Sequence, residues 1–270
     1  DTLCALRQGG FNRISMGVQS ANNKELHYLG RRHSFEQAVQ SVQMAQQAGF
    51  ENVSVDLMLG TPQQTAESVR QFVQTFDDLG VRHISGYLLK IEPGTPFARR
   101  QVERLCPGEE ESADLYLDTV EQMEQHGFFQ YEVSNFARPG FESRHNLKYW
   151  RCGEYLGIGP AAHSYYQGKR FYFPRSLSDF CTAEDVWKLV EQDGEGGGMF
   201  EYIMLRLRLR EGVNLPELRA LFGVDTTALE RRASFLQKQG LVCLDGQRLF
   251  LTPQGFLVSN SVIVDLLEYC

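Results

Sequence analysis

Asn52-Val53-Ser54-Val55-Asp56-Leu57-Met58-Leu59 is the stretch that decides the fold. Side chains alternate along a strand with a period of two, so Val53, Val55, Leu57 and Leu59 share one side and Ser54, Asp56 and Met58 the other. A helical pattern over Gln64–Leu79 follows. Upstream, Arg13–Gln19 sets Ile14, Met16 and Val18 against Ser15, Gly17 and Gln19, and leads to a helix over Ser34–Ala48. Downstream, His83–Leu89 repeats the pattern and leads to a helix over Glu109–His126. Strands alternating with helices imply parallel strands joined by crossovers, so the expected fold class is α/β, a partial parallel (β/α) TIM-like barrel. Gln130–Asn135 reads as a fourth strand. Ser34 with Gln37 makes a capping box for the first helix, and Gly49 and Gly80 suit the residues just past the first two. Helices cover the apolar side of such strands. The small polar side is therefore expected to line a cavity for a polar ligand.

Beyond these units, Asn135–Tyr166 reads as a loop region rich in aromatic, glycine and polar residues. Glu191-Gln192-Asp193-Gly194-Glu195-Gly196-Gly197-Gly198 is the best linker candidate. We therefore expect two domains, residues 1–193 for the partial barrel with its loop region and 199–270 for a C-terminal winged-helix-like α+β domain. The latter would hold helices over Glu201–Arg210, Leu215–Phe222 and Thr226–Gln239, a hairpin turned at Asp245-Gly246 in type I′ form, and a last helix from Pro253.

Composition narrows the function. A chain of 270 residues, 42% hydrophobic and 23% charged, can bury a full core. Its net charge of −7 argues against a broad phosphate-binding surface. The tail residues 201–270 carry eight Lys plus Arg against eight Asp plus Glu, so a winged helix there is not expected to bind nucleic acid. Arg206, Arg208 and Arg210 are read as a solvated or ion-paired face. No apolar run is long enough to span a bilayer, and a cytoplasmic protein is the expectation. The absence of an initiator Met suggests a cut N-terminus. Cys4, Cys106, Cys152, Cys181, Cys243 and Cys270 include no C-x-x-C pair, so sequence-local metal chelation is unsupported.

Two groups of residues could carry chemistry. Asp56, inside a strand of Val, Leu and Met, is costly to bury unless hydrogen-bonded, and either ligand hydroxyls or backbone amides and Arg31 would meet that need. Gln19 lies toward the same carboxyl ends of the strands, where α/β barrels place their sites. Arg32 follows Arg31 directly, and the choice between the two stays open. In His145-Asn146-Leu147-Lys148-Tyr149-Trp150, the imidazole could ligate haem iron and the aromatics could cover a porphyrin; the alternative is a loop whose His145 and Asn146 bond backbone while Tyr149 and Trp150 pack. His163 is a lesser candidate, and Gly157-Ile158-Gly159 reads as a turn.

Arg13–Ser20, Val55–Gly60, Tyr131–Phe136 and His145–Trp150, in that order and spacing, resemble the oxygen-independent coproporphyrinogen III oxidase-like family of radical S-adenosylmethionine (SAM) proteins. Within it the chain is similar to the HemW branch of haem chaperones, which the motif at His145 marks. The resemblance implies a barrel of the radical SAM type, a tail packed over the barrel mouth or a partner, and S-adenosylmethionine contacts at Gln19, Arg31 and Asp56. It implies a haem-handling role for His145, Asn146, Tyr149 and Trp150. The family's cysteine triad and glycine-rich Thr-Pro segment are missing, and Thr61-Pro62 belongs to the second strand's own turn. We thus expect a truncated HemW-like protein whose complete form binds a [4Fe–4S] cluster and S-adenosylmethionine and carries haem to acceptor proteins. In this chain we expect no cluster, no catalytic or metal-ligating residue, and no activity alone. A peripheral membrane contact and a homodimer are further expectations. The rival readings are an oxygen-independent coproporphyrinogen III dehydrogenase and a cluster-free scaffold or interaction module.

Overall fold

The computed structural model describes residues 2–270 and divides into two compact units, one ending at Glu142 and one running from Ser143 to Cys270. The first unit begins with helix α1 (Thr2–Gln8) and strand β1 (Arg13–Gln19). Helices α2 (Asn23–Tyr28) and α3 (Phe35–Gln47) lead to β2 (Asn52–Leu59), and α4 (Ala66–Asp78) leads to β3 (His83–Leu88). Then come α5 (Pro96–Arg99), α6 (Glu109–Gln125), β4 (Phe129–Glu132) and β5 (Asn135–Ala137). The sheet order is β1-β2-β3-β5-β4, with β1, β2 and β3 parallel. The expected α/β class stands.

Local sequence explains the helix starts. Ser34 Oγ accepts from the Gln37 N–H (3.3 Å) while Gln37 Oε1 accepts from the Ser34 N–H (2.9 Å), the expected capping box. Thr65 caps α4 in the same way. The apolar strand face meets the helices: α3 lies on β1 and β2, α6 on β2, and α4 on α6. Val42, Val55, Leu59, Phe72, Phe76 and Met123 are fully buried there, with Phe35 edge-on to Phe76 at 5.9 Å.

One expectation fails at the fourth strand. Gln130–Asn135 is not a single strand; the chain reverses at Val133-Ser134, and β5 runs antiparallel to both β4 and β3. Glu132 Oε1 accepts the Ser134 N–H at 3.1 Å, which closes a tight turn. A strand parallel to β3 needs a long crossover, and between α6 and β5 the chain spends its length on β4 instead.

In the second unit the expected loop region holds a helix, α7 (Arg144–Trp150), followed by β6 (His163–Tyr166) and β7 (Lys169–Tyr172). The short helix α8 (Leu177–Thr182) precedes β8 (Glu191–Glu195). The glycine-rich linker candidate is thus in part a strand, paired antiparallel with β7. Two of its glycines serve close packing: a Cβ on Gly196 would stand 2.7 Å from the Tyr165 ring, and one on Gly197 2.1 Å from its hydroxyl. The remainder is winged-helix-like: α9 (Met199–Arg206), β9 (Val213–Asn214), α10 (Leu215–Phe222), α11 (Thr227–Lys238), β10 (Val242–Leu244), β11 (Arg248–Leu251), α12 (Pro253–Leu257) and α13 (Ser259–Leu267). Its sheet order is β10-β11-β9. The hairpin turn is not type I′, because only Gly246 (φ +87°), and not Gln247, has positive φ. Arg206 pairs with Glu211 at 2.7 Å and Arg208 donates to Asn260 at 2.9 Å, so of the two alternatives the ion-paired one describes Arg206, whose side chain is only 16% exposed. No helix among the described residues is long and apolar enough to cross a membrane.

On the polar face of the first sheet, His83 is 1% exposed, with Nδ1 2.7 Å from Ser54 Oγ and Nε2 2.8 Å from the Tyr131 hydroxyl. Burial, with Arg13 nearby, pushes its pKa down to about 3. An unfolded histidine protonates at its ordinary, higher pKa, so between the two values the unfolded state binds more protons and stability falls with pH. This group alone should cost on the order of 4 kcal/mol across that window. Asp56 and Glu25, whose pKa values burial raises, act in the opposite direction. The comparison that isolates His83 is therefore the difference in slope between wild type and His83→Asn. Urea melts at about pH 7 and about pH 4 should show the variant losing less stability than wild type. A second expectation concerns β1, which among the described strands pairs only with β2. Sedimentation of the isolated chain should show concentration-dependent association through this open edge.

Candidate functional sites

Asp56 lies at the centre of the polar face. Ser15 Oγ donates to its Oδ1 at 3.4 Å, and Ser85, its register partner on β3, also hydrogen-bonds to it. No cationic nitrogen stands within ion-pairing distance among the described residues. Burial therefore raises its pKa, opposed by the two serines and then by the charges of Arg13 and Arg31. Of the adjacent guanidinia, Arg31 is the one whose field reaches Asp56. The carboxylate is held by hydroxyls, with capacity left for further donors.

Gln19 ends β1 with φ +79°, a left-handed conformation uncommon outside glycine, where the β1–β2 register slips between Met16 and Gln19. Its side chain is 7% exposed and folds back along the strand. A Cβ on Gly17 would stand 2.8 Å from Gln19 Nε2 and 3.9 Å from Asp56 Oδ2, so Gly17 creates the space in which that amide sits beside the carboxylate. Such strain costs on the order of 1–3 kcal/mol and persists where the surroundings over-determine it. The structure thus brings Gln19 and Asp56 together, with Arg31 on the exposed turn after α2.

Glu25 is the supporting residue that sequence reasoning missed. It is 1% exposed, accepts from Ser20 Oγ at 2.6 Å, and has a pKa raised by burial. Ser20 in turn accepts the Asn22 N–H at 2.9 Å, which braces the loop following Gln19. In the sequence Glu25 is simply a helix-starting acid, and no local pattern marks it as buried. The turn after β2 is fastened by Gln64, whose Oε1 accepts from Gly60 N–H and whose Nε2 donates to Met58 O, both at 2.7 Å. Thr61-Pro62 belongs to this turn. A separate cavity of about 240 Å³ lies between β1 and α3, lined by Met16, Gly17, Val18, His33, Gln37 and others, and reaches none of Gln19, Arg31 or Asp56.

The motif at His145 lies on α7 and not in a loop, because Ser143 caps the helix through the Asn146 N–H (3.4 Å) and nothing breaks it before Cys152. Residues four apart share a helical face, so His145 aligns with Tyr149 and Asn146 with Trp150. His145 Nε2 is 2.8 Å from the Tyr149 hydroxyl. Tyr149 meets Tyr155 edge-on at 4.5 Å, and the Arg208 guanidinium lies 5.9 Å from the Trp150 ring centroid. His145 is exposed and Asn146, Tyr149 and Trp150 half-buried, so this is an accessible imidazole beside aromatic surface. Among the described residues no three His, Cys, Asp or Glu side chains group closely enough to hold a metal ion.

Residues 1–76 match the Radical SAM superfamily, and residues 198–258 match the HemN C-terminal domain. The chain is 34% identical to the heme chaperone HemW of Lactococcus lactis over 97% of its own length and 70% of that protein. It is likewise 34% identical to the heme chaperone HemW of Bacillus subtilis, over 97% of this chain and 71% of that one. The solved structure of the radical SAM enzyme coproporphyrinogen III oxidase (HemN) from Escherichia coli superimposes with a TM-score of 0.78, covering 100% of this chain and 67% of that one. At 20% identity that likeness shows the fold alone, a radical SAM α/β architecture. On the identity shared with its relatives over nearly its whole length, this chain belongs to the HemW family of radical SAM proteins.

Proposed function

We propose that this protein handles haem as a HemW-type chaperone, holding the porphyrin for transfer to an acceptor protein in the cytoplasm. The observation that supports this most directly is the exposed imidazole of His145 on α7, flanked by Tyr149 and Trp150, in a chain of the HemW family. A haem iron needs a nitrogen donor, and the porphyrin plane needs flat apolar cover. His145 offers the first. Tyr149 and Trp150 supply the second. Because Nε2 already meets the Tyr149 hydroxyl, ligation through that atom requires the hydroxyl to release it.

The same reading gives Gln19, Arg31 and Asp56 to S-adenosylmethionine. The residues fit: Asp56 is a half-buried acceptor with no ion pair, suited to ribose hydroxyl or amino donors, and Arg31 is a free planar fork for a carboxylate. Bound there, S-adenosylmethionine would supply radical chemistry together with a reduced cluster. Gln19 and Asp56 would orient it, and Glu25 would hold the loop that carries Gln19. A [4Fe–4S] cluster belongs to the complete radical SAM protein on this reading, but the donors of this chain do not fit one, since its six cysteines include no closely spaced pair.

Asp56→Ala in the complete protein should weaken S-adenosylmethionine binding by about 1–3 kcal/mol, the scale of a lost buried hydrogen-bond partner. Gly17→Ala should weaken it as well, by displacing the Gln19 amide. Calorimetric titration reads both, and unchanged affinity in folded variants removes these residues from the site. For haem, His145→Ala should shift the Soret band and speed haem loss while leaving cofactor binding unchanged, because sites without shared partners perturb each other little. Identical spectra for the two chains return α7 to a packing role.

A further inference from the structure

Within the second unit the haem-chaperone reading uses His145 and leaves the other imidazole, His163, without a role. His163 opens β6 and faces Tyr172 across the strand pair, the two rings stacked at 5.0 Å and 25°. Tyr172 is itself held, its hydroxyl donating to Glu191 Oε2 at 2.5 Å on the neighbouring strand β8. Asp193 Oδ2 stands 3.7 Å from His163 Nδ1, while Nε2 makes no hydrogen bond among the described residues. The side chain is 59% exposed. At that distance the carboxylate is a neighbouring charge and not a hydrogen-bond partner, and Nε2 is the ring nitrogen left open to a ligand. His145 is arranged differently, since its Nε2 is already engaged by Tyr149.

The surroundings of His163 are built rather than incidental. The loop leading to it packs its backbone on β6 so tightly that a Cβ on Gly157 would stand 2.3 Å from the His163 carbonyl oxygen. The Gly157 N–H donates to Ser164 Oγ at 3.0 Å, and the Ala161 N–H to the Phe173 carbonyl at 3.0 Å. This fixes the loop that carries Ile158, 85% exposed, and Leu156, 51% exposed, against the backbone of β6 at His163. An open donor nitrogen with a ring stacked beneath it, on a strand whose leading loop exposes Leu156 and Ile158, suits a planar, apolar, metal-bearing ligand.

We propose that His163 is an axial ligand for haem iron through Nε2, its ring held on Tyr172 and with the Asp193 carboxylate near Nδ1. This deepens the haem-chaperone reading and rests on it. The test titrates ferric protoporphyrin IX and metal-free protoporphyrin IX into the wild-type chain, His163→Ala, His163→Phe and His145→Ala, with circular dichroism to confirm folding. His163→Ala should bind the iron porphyrin about tenfold more weakly, with an altered Soret band, and bind the metal-free porphyrin as wild type does. His163→Phe keeps a ring on Tyr172 without a ligating nitrogen, and should show the same loss. Asp193→Asn should give a smaller loss in the same direction. Wild-type affinity for iron porphyrin in His163→Ala overturns the assignment, as does full retention by His163→Phe, which would make the ring's stacking, and not its nitrogen, the contribution. If the wild-type chain binds neither porphyrin, the haem-chaperone reading itself fails. That result is distinct from a defect confined to His163.

Discussion

A carboxylate placed in the middle of a buried strand sets the terms for the first unit. Asp56 lies between Val55 and Leu57, both buried at 1% exposure or less, and among the described residues no cation pairs with it. An uncompensated charge in such a place costs several kcal/mol. The fold meets that cost by keeping one whole sheet face small and polar. Ser15 and Ser85 reach Asp56 directly, Gly17 leaves room for the Gln19 amide, and a row lower His83 is satisfied by Ser54 and Tyr131. Val53, Val55, Leu57 and Leu59 are consequently sent to the opposite face, which the helices cover. The polar lining and the packed core are two results of one alternation.

The second unit is organised around close approach. Arg170 lies 4.7 Å from the Tyr165 ring centroid, donates to the Tyr155 hydroxyl at 3.4 Å and pairs with Glu201 on α9. Gly196 and Gly197 run directly against Tyr165, which only residues without a side chain allow. Tyr155 also bridges to Tyr165 through the backbone and carries Tyr149 of α7 on its ring. The helix bearing His145 and the sheet bearing His163 are therefore joined through one set of tyrosines. Of these, Tyr165 is buried, so a variant there would disturb both histidine surfaces at once.

Much of the fold was legible because its causes are local. The β2 bounds follow from alternation alone, and the start of α3 follows from Ser34. Asp56 and Gln19 could be picked out as polar residues at strand positions that should be buried. The linker expectation for 191–198 failed because glycine reads the same whether it is free or pressed against a ring; Tyr165 lies far back in the chain, and no local pattern announces it. The loop expectation around His145 failed for a different reason. A short helix capped by Ser143 has too few residues to show a period. Glu25 looks like any first-turn acid until the loops on either side close over it.

The sequence by itself determined the α/β class, the three parallel strands with their two chemically distinct faces, the winged-helix-like tail and the HemW resemblance, because each rests on periodicity, capping or motif order within short spans. Only the tertiary structure decided that the chain turns back after β3, that Gln19 is held in a left-handed conformation over Gly17, and that His163 stands on Tyr172 with Asp193 nearby. Those outcomes depend on which distant side chains meet across strands. Such contacts are set by register and packing, which no short stretch of sequence contains.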